Sequence, residues 1–234
     1  MTTCKAFCIS VLCSFTLISS HASHAAEAAS GAKKADTPPA QNLAFEEIEL
    51  DSLDTTGFFS RKPVKIKGYL LRARGAGKSP GAVLVPACNG LLSGDGKNIR
   101  INYRKMARHL NGLGMTVLLI DGFNPRGFTE ICTQSGKSRS IDTLVRLKDS
   151  FGGLLYLRSR DDMITDKVFL VSWGATGSFQ AMNKGSPYAE KAGAGFTAAI
   201  MFYPECDRVD GQFAPYAPIQ MFVGEKDTWN PASA

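Results

Sequence analysis

The chain alternates between short apolar runs and longer segments with a helical repeat. Nearly continuous apolar runs are typical of strands that are buried on both faces of a parallel sheet. An earlier segment, 64–70, instead alternates apolar and polar side chains, as a half-exposed strand does. The continuous runs cover 82–85, 115–120, 168–171, 198–203 and 219–223.

Helical periods fall between these runs. Apolar residues recur at intervals of three and four between Ile99 and Leu113 and between Ile141 and Leu155, and a third helix is predicted after Gly174. Strands that alternate with helices imply crossovers that cover both faces of one sheet. The pattern therefore predicts a doubly wound, mostly parallel α/β sheet with an antiparallel N-terminal edge.

The N-terminus has the layout of a secretory signal peptide, which we assign to residues 1–26. Lys5 is its single charge, and the apolar stretch that follows is about 13 residues long, whereas a bilayer span needs roughly 20. A buried N-terminal helix is the alternative. We expect a periplasmic or secreted protein without a stable membrane anchor. Residues 27–41 predict a flexible tether, and 42–234 a single α/β domain.

Charge and cysteine usage narrow the possible partners. The 27 basic and 21 acidic side chains give a formal net charge of +6 and form no run of five like charges, so no nucleic-acid partner is predicted.

Loss of the leader leaves Cys88, Cys132 and Cys206, which we expect at the carboxyl edge of the sheet. Their spacing resembles no zinc motif, and no metal or cofactor is predicted. Our first choice of disulfide joins Cys132 to Cys206.

Residues 166–177 resemble the strand, nucleophile elbow and helix start of the dienelactone hydrolase family, whose pattern is Gly-x-Ser/Cys-x-Gly-Gly. This resemblance implies the α/β-hydrolase fold and puts Gly174 at the nucleophile position of a degenerate elbow. Glycine has no side chain, so the acyl-enzyme route is closed there. Ser172 is the alternative nucleophile, and a buried, hydrogen-bonded serine at the end of a strand is its other interpretation.

Residues 83–91 resemble the family's oxyanion loop, often His-Gly-Cys-x-Gly-Leu. The resemblance implies that the backbone N–H groups of Cys88 and Ala175 would stabilise negative charge on a carbonyl oxygen. It also makes Asn89 and Trp173 expected substrate contacts. An ordinary strand-to-helix turn is the alternative interpretation of this loop.

Three further segments follow in the family's order. Residues 120–127 resemble Asp-Ser-Phe-Gly-Pro-Arg-Gly, which implies that Arg126 grips a substrate carboxylate; the alternative is an arginine that only pins its loop. Residues 202–206 resemble the turn Phe-Tyr-Pro-Gly-Cys. Residues 223–232 resemble the segment that holds the acid of the triad, which would be Asp227, or else a solvated turn aspartate.

The histidine that completes such a triad follows the acid, and this sequence has no histidine between Asp227 and residue 234. The resemblance therefore implies a missing C-terminal histidine segment and a truncated chain. Two functions remain open. The first is hydrolysis of ester or lactone bonds in small molecules, including carboxylate-bearing ones. The second is a non-catalytic relative that binds small molecules, or a decaying truncated copy.

Overall fold

A computed structural model describes residues 44–56, 61–135, 139–174, 176–205 and 213–230. The predicted signal peptide and tether lie outside the described residues, and so do Ala175 and Cys206. Within the described ranges, no helix is long and apolar enough to cross a membrane.

The described part contains a seven-stranded sheet in the order β1-β2-β4-β3-β5-β6-β7. β1 pairs antiparallel with β2, and β2 pairs antiparallel with β4, whereas β3 to β7 run parallel. The predicted mostly parallel sheet with an antiparallel N-terminal edge is therefore confirmed. The strands are β1 (Glu46–Thr56), β2 (Lys62–Leu71), β3 (Ser79–Val85), β4 (Thr116–Asp121), β5 (Met163–Trp173), β6 (Ala199–Phe202) and β7 (Ile219–Phe222).

Helices α1 (Ile101–Gly112), α2 (Thr143–Arg158) and α3 (Thr176–Ala181) occupy the three segments in which the sequence predicts them. A fourth helix, α4 (Pro187–Lys191), was not predicted, because its five residues are too few to show a helical period. A single 3-10 turn, Asn124–Arg126, interrupts the long loop after β4.

Helices cover both faces of the sheet, because consecutive strand residues point to opposite sides. Leu110 of α1 and Ala82 of β3 line one cavity on the first face. Gly153 of α2 approaches Val83 on the second face. The second face carries most of the core, with fully buried Phe151, Leu154, Val168, Leu170 and Phe179.

Two consecutive glycines bring α2 close to the sheet. A Cβ atom at Gly153 would lie 2.8 Å from Ile120 Cδ1 and 3.0 Å from Val83 Cγ1. A Cβ atom at Gly152 would clash with the backbone carbonyl oxygen of Asp51 in β1. The pair weakens the helical pattern in the sequence, and the structure gives the reason for it: any larger side chain would push α2 away from β1.

We predict that Gly152→Ala destabilises the protein although alanine is the better helix former. The helix propensity of alanine favours the variant by about 1 kcal/mol. Displacing a packed helix from a rigid backbone atom costs typically ~1–3 kcal/mol, and we expect this cost to exceed the gain. Urea denaturation followed by circular dichroism measures the difference.

Gly112→Ala is the matched control. Gly112 closes α1, and no described atom outside its own helix and chain neighbours lies within 4 Å of where its Cβ would be. The same substitution should therefore stabilise the protein there, by up to ~1 kcal/mol. Equal effects at the two positions would contradict the close approach of α2 to β1.

Candidate functional site

The loops that follow β3, β4, β5, β6 and β7 meet at the carboxyl edge of the sheet, where ligands bind in open α/β folds. Gly174 forms the turn between the end of β5 at Trp173 and the start of α3 at Thr176. Its φ of +51° lies in the left-handed region, and its N–H donates to the Phe202 carbonyl at 2.8 Å. The backbone of this turn therefore has the left-handed conformation between a strand and a helix that a nucleophile elbow requires.

The space at this turn is open. Among the described residues, and apart from its chain neighbours, the only atom within 4 Å of a Cβ built at Gly174 is the Tyr203 carbonyl oxygen, at 3.7 Å. A side chain would fit among these residues, but glycine supplies none. Ser172 is 2% exposed and lies in β5 between Val85 of β3 and Met201 of β6, which agrees with its interpretation as a buried serine at the end of a strand.

We call residues 86–91 the oxyanion loop. The hydroxyl of Tyr103, on α1, accepts the Ala87 N–H at 2.9 Å and donates to Asn89 Oδ1 at 2.9 Å. Tyr103 thus holds both neighbours of Cys88. No described residue accepts the N–H of Cys88, which leaves this donor available for a ligand oxygen. Asn89, an expected substrate contact, uses its side-chain oxygen for the loop itself.

A disulfide joins Cys88 to Cys132, with the two Cα atoms 4.9 Å apart. Our choice of Cys132 with Cys206 was therefore wrong. The reason is the strand order: Cys88 and Cys132 lie in the loops that follow β3 and β4, which are neighbours, whereas β3 and β5 both lie between β4 and β6, the strand that precedes Cys206 in the sequence. The expected location at the carboxyl edge holds for Cys88 and Cys132.

Arg126 pins its loop. Its two terminal nitrogens each lie 2.9 Å from a carboxylate oxygen of Asp149, and one of them also donates to the Gly122 carbonyl at 2.7 Å. Asp54 of β1 lies within 3.5 Å of the same guanidinium. The side chain is only 13% exposed. Of the two interpretations of Arg126, the contacts agree with the loop anchor, and a ligand carboxylate would need a different partner.

Trp173 and Asp227 also make structural contacts. The Trp173 ring packs edge-on against Tyr103 at 4.9 Å and stacks on Phe202 at 5.1 Å, and the residue is 9% exposed. Asp227 Oδ1 accepts the N–H groups of Trp229 and Asn230, at 2.8 and 2.9 Å. This bonding is that of an aspartate that closes its own turn.

Arg146 of α2 is the site residue that sequence reasoning missed. Its guanidinium donates to the Pro86 carbonyl and lies 5.6 Å from the centroid of the Phe123 ring. Burial lowers the pKa of Arg146 to about 10, and the nearby carboxylate of Glu205 opposes this shift. The side chain is thus still charged at neutral pH. The sequence signal that could have identified Arg146 is its position on α2. Arg146 precedes Gly153 by two helical turns, so both residues lie on the side of α2 that faces the sheet.

A second buried ion pair lies beside Arg146. Arg139 and Glu205 approach to 3.7 Å, with side chains 10% and 7% exposed. Glu205 follows β6 and occupies the glycine position of the motif that 202–206 resemble. His109 is exposed in the last turn of α1, which runs away from the carboxyl edge towards the start of β4, so it is remote from Gly174.

The described residues contain no cluster of three or more His, Cys, Asp or Glu side chains that could hold a metal ion. Polar groups at the carboxyl edge can instead donate hydrogen bonds to an oxygen atom. The Cys88 N–H is one such donor, because no described residue accepts it.

No protein-family model matches this chain, and no curated protein sequence does. Solved structures do match. A dienelactone hydrolase-like promiscuous phosphotriesterase from metagenomic libraries has a TM-score of 0.54 and 18% identity, with 79% of this chain and 71% of that chain covered. A candidate dienelactone hydrolase from Klebsiella pneumoniae subsp. pneumoniae has a TM-score of 0.52 and 16% identity, with 80% and 76% covered.

Thermogutta terrifontis esterase 2 is also similar, with a TM-score of 0.52 and 13% identity over 83% of this chain and 76% of the esterase. Of a further match, the DcsB complex with its substrate analogue, this chain spans only 45% of the length. Identities this low show the fold. The chain has the α/β-hydrolase fold, as the resemblance implied.

We predict that Tyr103→Phe destabilises the oxyanion loop. Loss of the hydroxyl leaves the Ala87 N–H and Asn89 Oδ1 without their partner, which costs ~1–3 kcal/mol where such groups are buried. Amide hydrogen exchange should show faster exchange at Ala87, and chemical denaturation should give a lower free energy of unfolding.

Tyr156→Phe serves as the control. Among the described residues, the Tyr156 hydroxyl accepts one hydrogen bond, from Arg160 at 3.5 Å, so its loss should change the free energy of unfolding by less than ~0.5 kcal/mol. An Ala87 exchange rate that is identical in wild type and Tyr103→Phe would show that the hydroxyl does not hold the loop.

Proposed function

We propose that this chain binds small esters or lactones at the carboxyl edge of its sheet and does not turn them over through an acyl-enzyme. The observation that carries this proposal is Gly174, which occupies the turn between β5 and α3 with a φ of +51°. Acyl-enzyme formation needs a nucleophilic side chain at that turn. Ser172, two residues before this turn, is buried in the strand.

Two features support the binding part of the proposal. The Cys88 N–H points to no acceptor among the described residues and can donate to a carbonyl oxygen. The open space at Gly174 leaves room for the carbonyl group itself. Similarity in fold to a dienelactone hydrolase-like protein and to an esterase makes esters and lactones the ligand class to test first.

Hydrolysis is the second candidate function. It is favoured by five motifs that follow the order of the dienelactone hydrolase family along the chain. An oxyanion hole and substrate binding alone can leave a rate of ~10³–10⁴-fold over water when triad members are removed. Such a rate would be far below that of an intact triad.

We predict that the 234-residue chain shows little or no hydrolysis of 4-nitrophenyl acetate or γ-butyrolactone, because Gly174 offers no nucleophile. Gly174→Ser should fold, at a cost of ~1–3 kcal/mol for a side chain at positive φ. It should not restore full activity, because a serine without a positioned base is a weak nucleophile at neutral pH. Release of nitrophenolate measures the first substrate, and acid production measures the second.

Ser172→Ala is the control for the register of the elbow, and its rate should equal that of wild type. Robust wild-type turnover that disappears in Ser172→Ala would identify Ser172 as the nucleophile and end the proposal.

Binding is tested separately with γ-butyrolactone, which should shift the Cys88 amide resonance. The resonance of the Thr197 amide, which is bonded to Val168 in the middle of β5, should not move. An unchanged Cys88 resonance at saturating lactone would contradict ligand binding at this loop.

We also propose that the protein is exported to the periplasm or secreted. The layout of residues 1–26 supports this, and so does the Cys88–Cys132 disulfide, because disulfides persist mainly in oxidising compartments. We predict that the secreted form begins between Ala26 and Ser30. N-terminal sequencing of periplasmic material checks this, and an intact Met1 would contradict it.

A further inference from the structure

The oxyanion loop is anchored from two sides. On one side, Tyr103 and Arg146 hold it to helices α1 and α2. On the other side it is joined to residues 129–132 of the long loop after β4. The second side consists of the Cys88–Cys132 disulfide, a 2.8 Å hydrogen bond from the Ile131 N–H to the Cys88 carbonyl, and the close approach of Gly90 to the Thr129 carbonyl.

The disulfide acts on the residue that carries the donor. Cys88 contributes its sulfur to the bond and also carries the N–H that no described residue accepts. Its carbonyl is held by Ile131, one residue before the other half-cystine. Both cysteines are partly exposed, so a small thiol can reach the bond.

Apart from the disulfide, the second anchor is weak. Ile131 is fully buried, but in the described part of the chain its small cluster has two other buried residues, Phe123 and Ile141, and three partly buried ones. The main core, which contains Phe151 and Leu154, is a separate cluster. A few apolar contacts and one hydrogen bond on a surface loop open more readily than a core strand does. The covalent bond is therefore the part of this anchor that prevents local opening.

We propose that the Cys88–Cys132 disulfide is a redox switch that holds the oxyanion loop against residues 129–132. The oxidised chain fixes the Cys88 N–H, and reduction releases the loop. In the reduction, a dithiol transfers two electrons and two protons to the protein. The Cys88–Cys132 bond breaks into two thiols, and the dithiol becomes a cyclic disulfide. The inference concerns the same loop as the proposed function, but its core test needs no ligand.

The test is amide hydrogen exchange on the secreted chain, oxidised or reduced with dithiothreitol, and on Cys88→Ser/Cys132→Ser. We expect the Ile131 amide to exchange at least about tenfold faster in the reduced chain and in the double variant. The Thr197 amide should keep its rate, because it is bonded to Val168 in the middle of β5, away from the carboxyl edge. Cys206→Ser is the matched control, since it removes the third thiol and should behave as oxidised wild type.

Loss of the disulfide should also lower Tm by roughly 5–15 °C, because the bond closes a loop of 44 residues. The exchange rates are compared well below that Tm, so that global unfolding does not contribute. Unchanged Ile131 exchange in folded, reduced protein would overturn the proposal. A bond that stays oxidised in glutathione buffers across the physiological range would also overturn it, because a switch must be reversible under those conditions.

Titration with γ-butyrolactone then separates the two proposals. Faster exchange together with weaker lactone binding on reduction supports both of them. Faster exchange with no lactone binding in either redox state supports the switch and contradicts the proposed function. Equal lactone binding in both states, with the loop released, would contradict the role of the fixed Cys88 N–H in binding.

Discussion

The carboxyl edge of this sheet is organised around a buried positive charge. The guanidinium of Arg146 lies inside the protein and keeps its charge at neutral pH, with a pKa of about 10. A buried charge is costly unless it has partners, and Arg146 finds them in different loops. It donates a hydrogen bond to the Pro86 carbonyl in the loop after β3 and lies over the Phe123 ring in the loop after β4. The carboxylate of Glu205, in the loop after β6, stabilises its charge. These loops form the rim of the candidate site, so one side chain on α2 couples their positions.

Backbone contacts hold the strand-to-helix turn at Gly174 although no nucleophilic side chain stands there. A Cβ at Gly177 would clash with the Thr143 carbonyl, so α3 begins in close contact with α2. The Gly174 N–H is held by the carbonyl of Phe202. None of these contacts involves a nucleophile. These contacts hold the strand-to-helix turn without any side chain at its apex, and similarity of fold does not establish turnover.

The sequence predicted the elements well because buried strands and amphipathic helices are local patterns. The strands at 82–85 and 168–171 and the edge before them follow from hydrophobic periodicity alone. Side-chain roles at the site were harder, because they depend on partners distant in sequence. Arg126 pairs with Asp149 on α2, and Cys88 pairs with Cys132 because β3 and β4 are neighbours in the sheet. Tyr103 fits an apolar helical face, and only the three-dimensional loop shows that its hydroxyl binds Ala87.

Glycine at position 174 also changes the energetics of the turn. In a working hydrolase, the nucleophile is held at positive φ, and such a conformation costs a residue with a side chain ~1–3 kcal/mol. Glycine adopts the same φ of +51° without that cost. A glycine at this turn therefore avoids the strain that a nucleophile would carry, in the direction expected when stability and activity oppose each other. A binding function would retain this gain, because ligand binding at the Cys88 N–H requires the loop to be fixed but does not require a strained side chain at the turn.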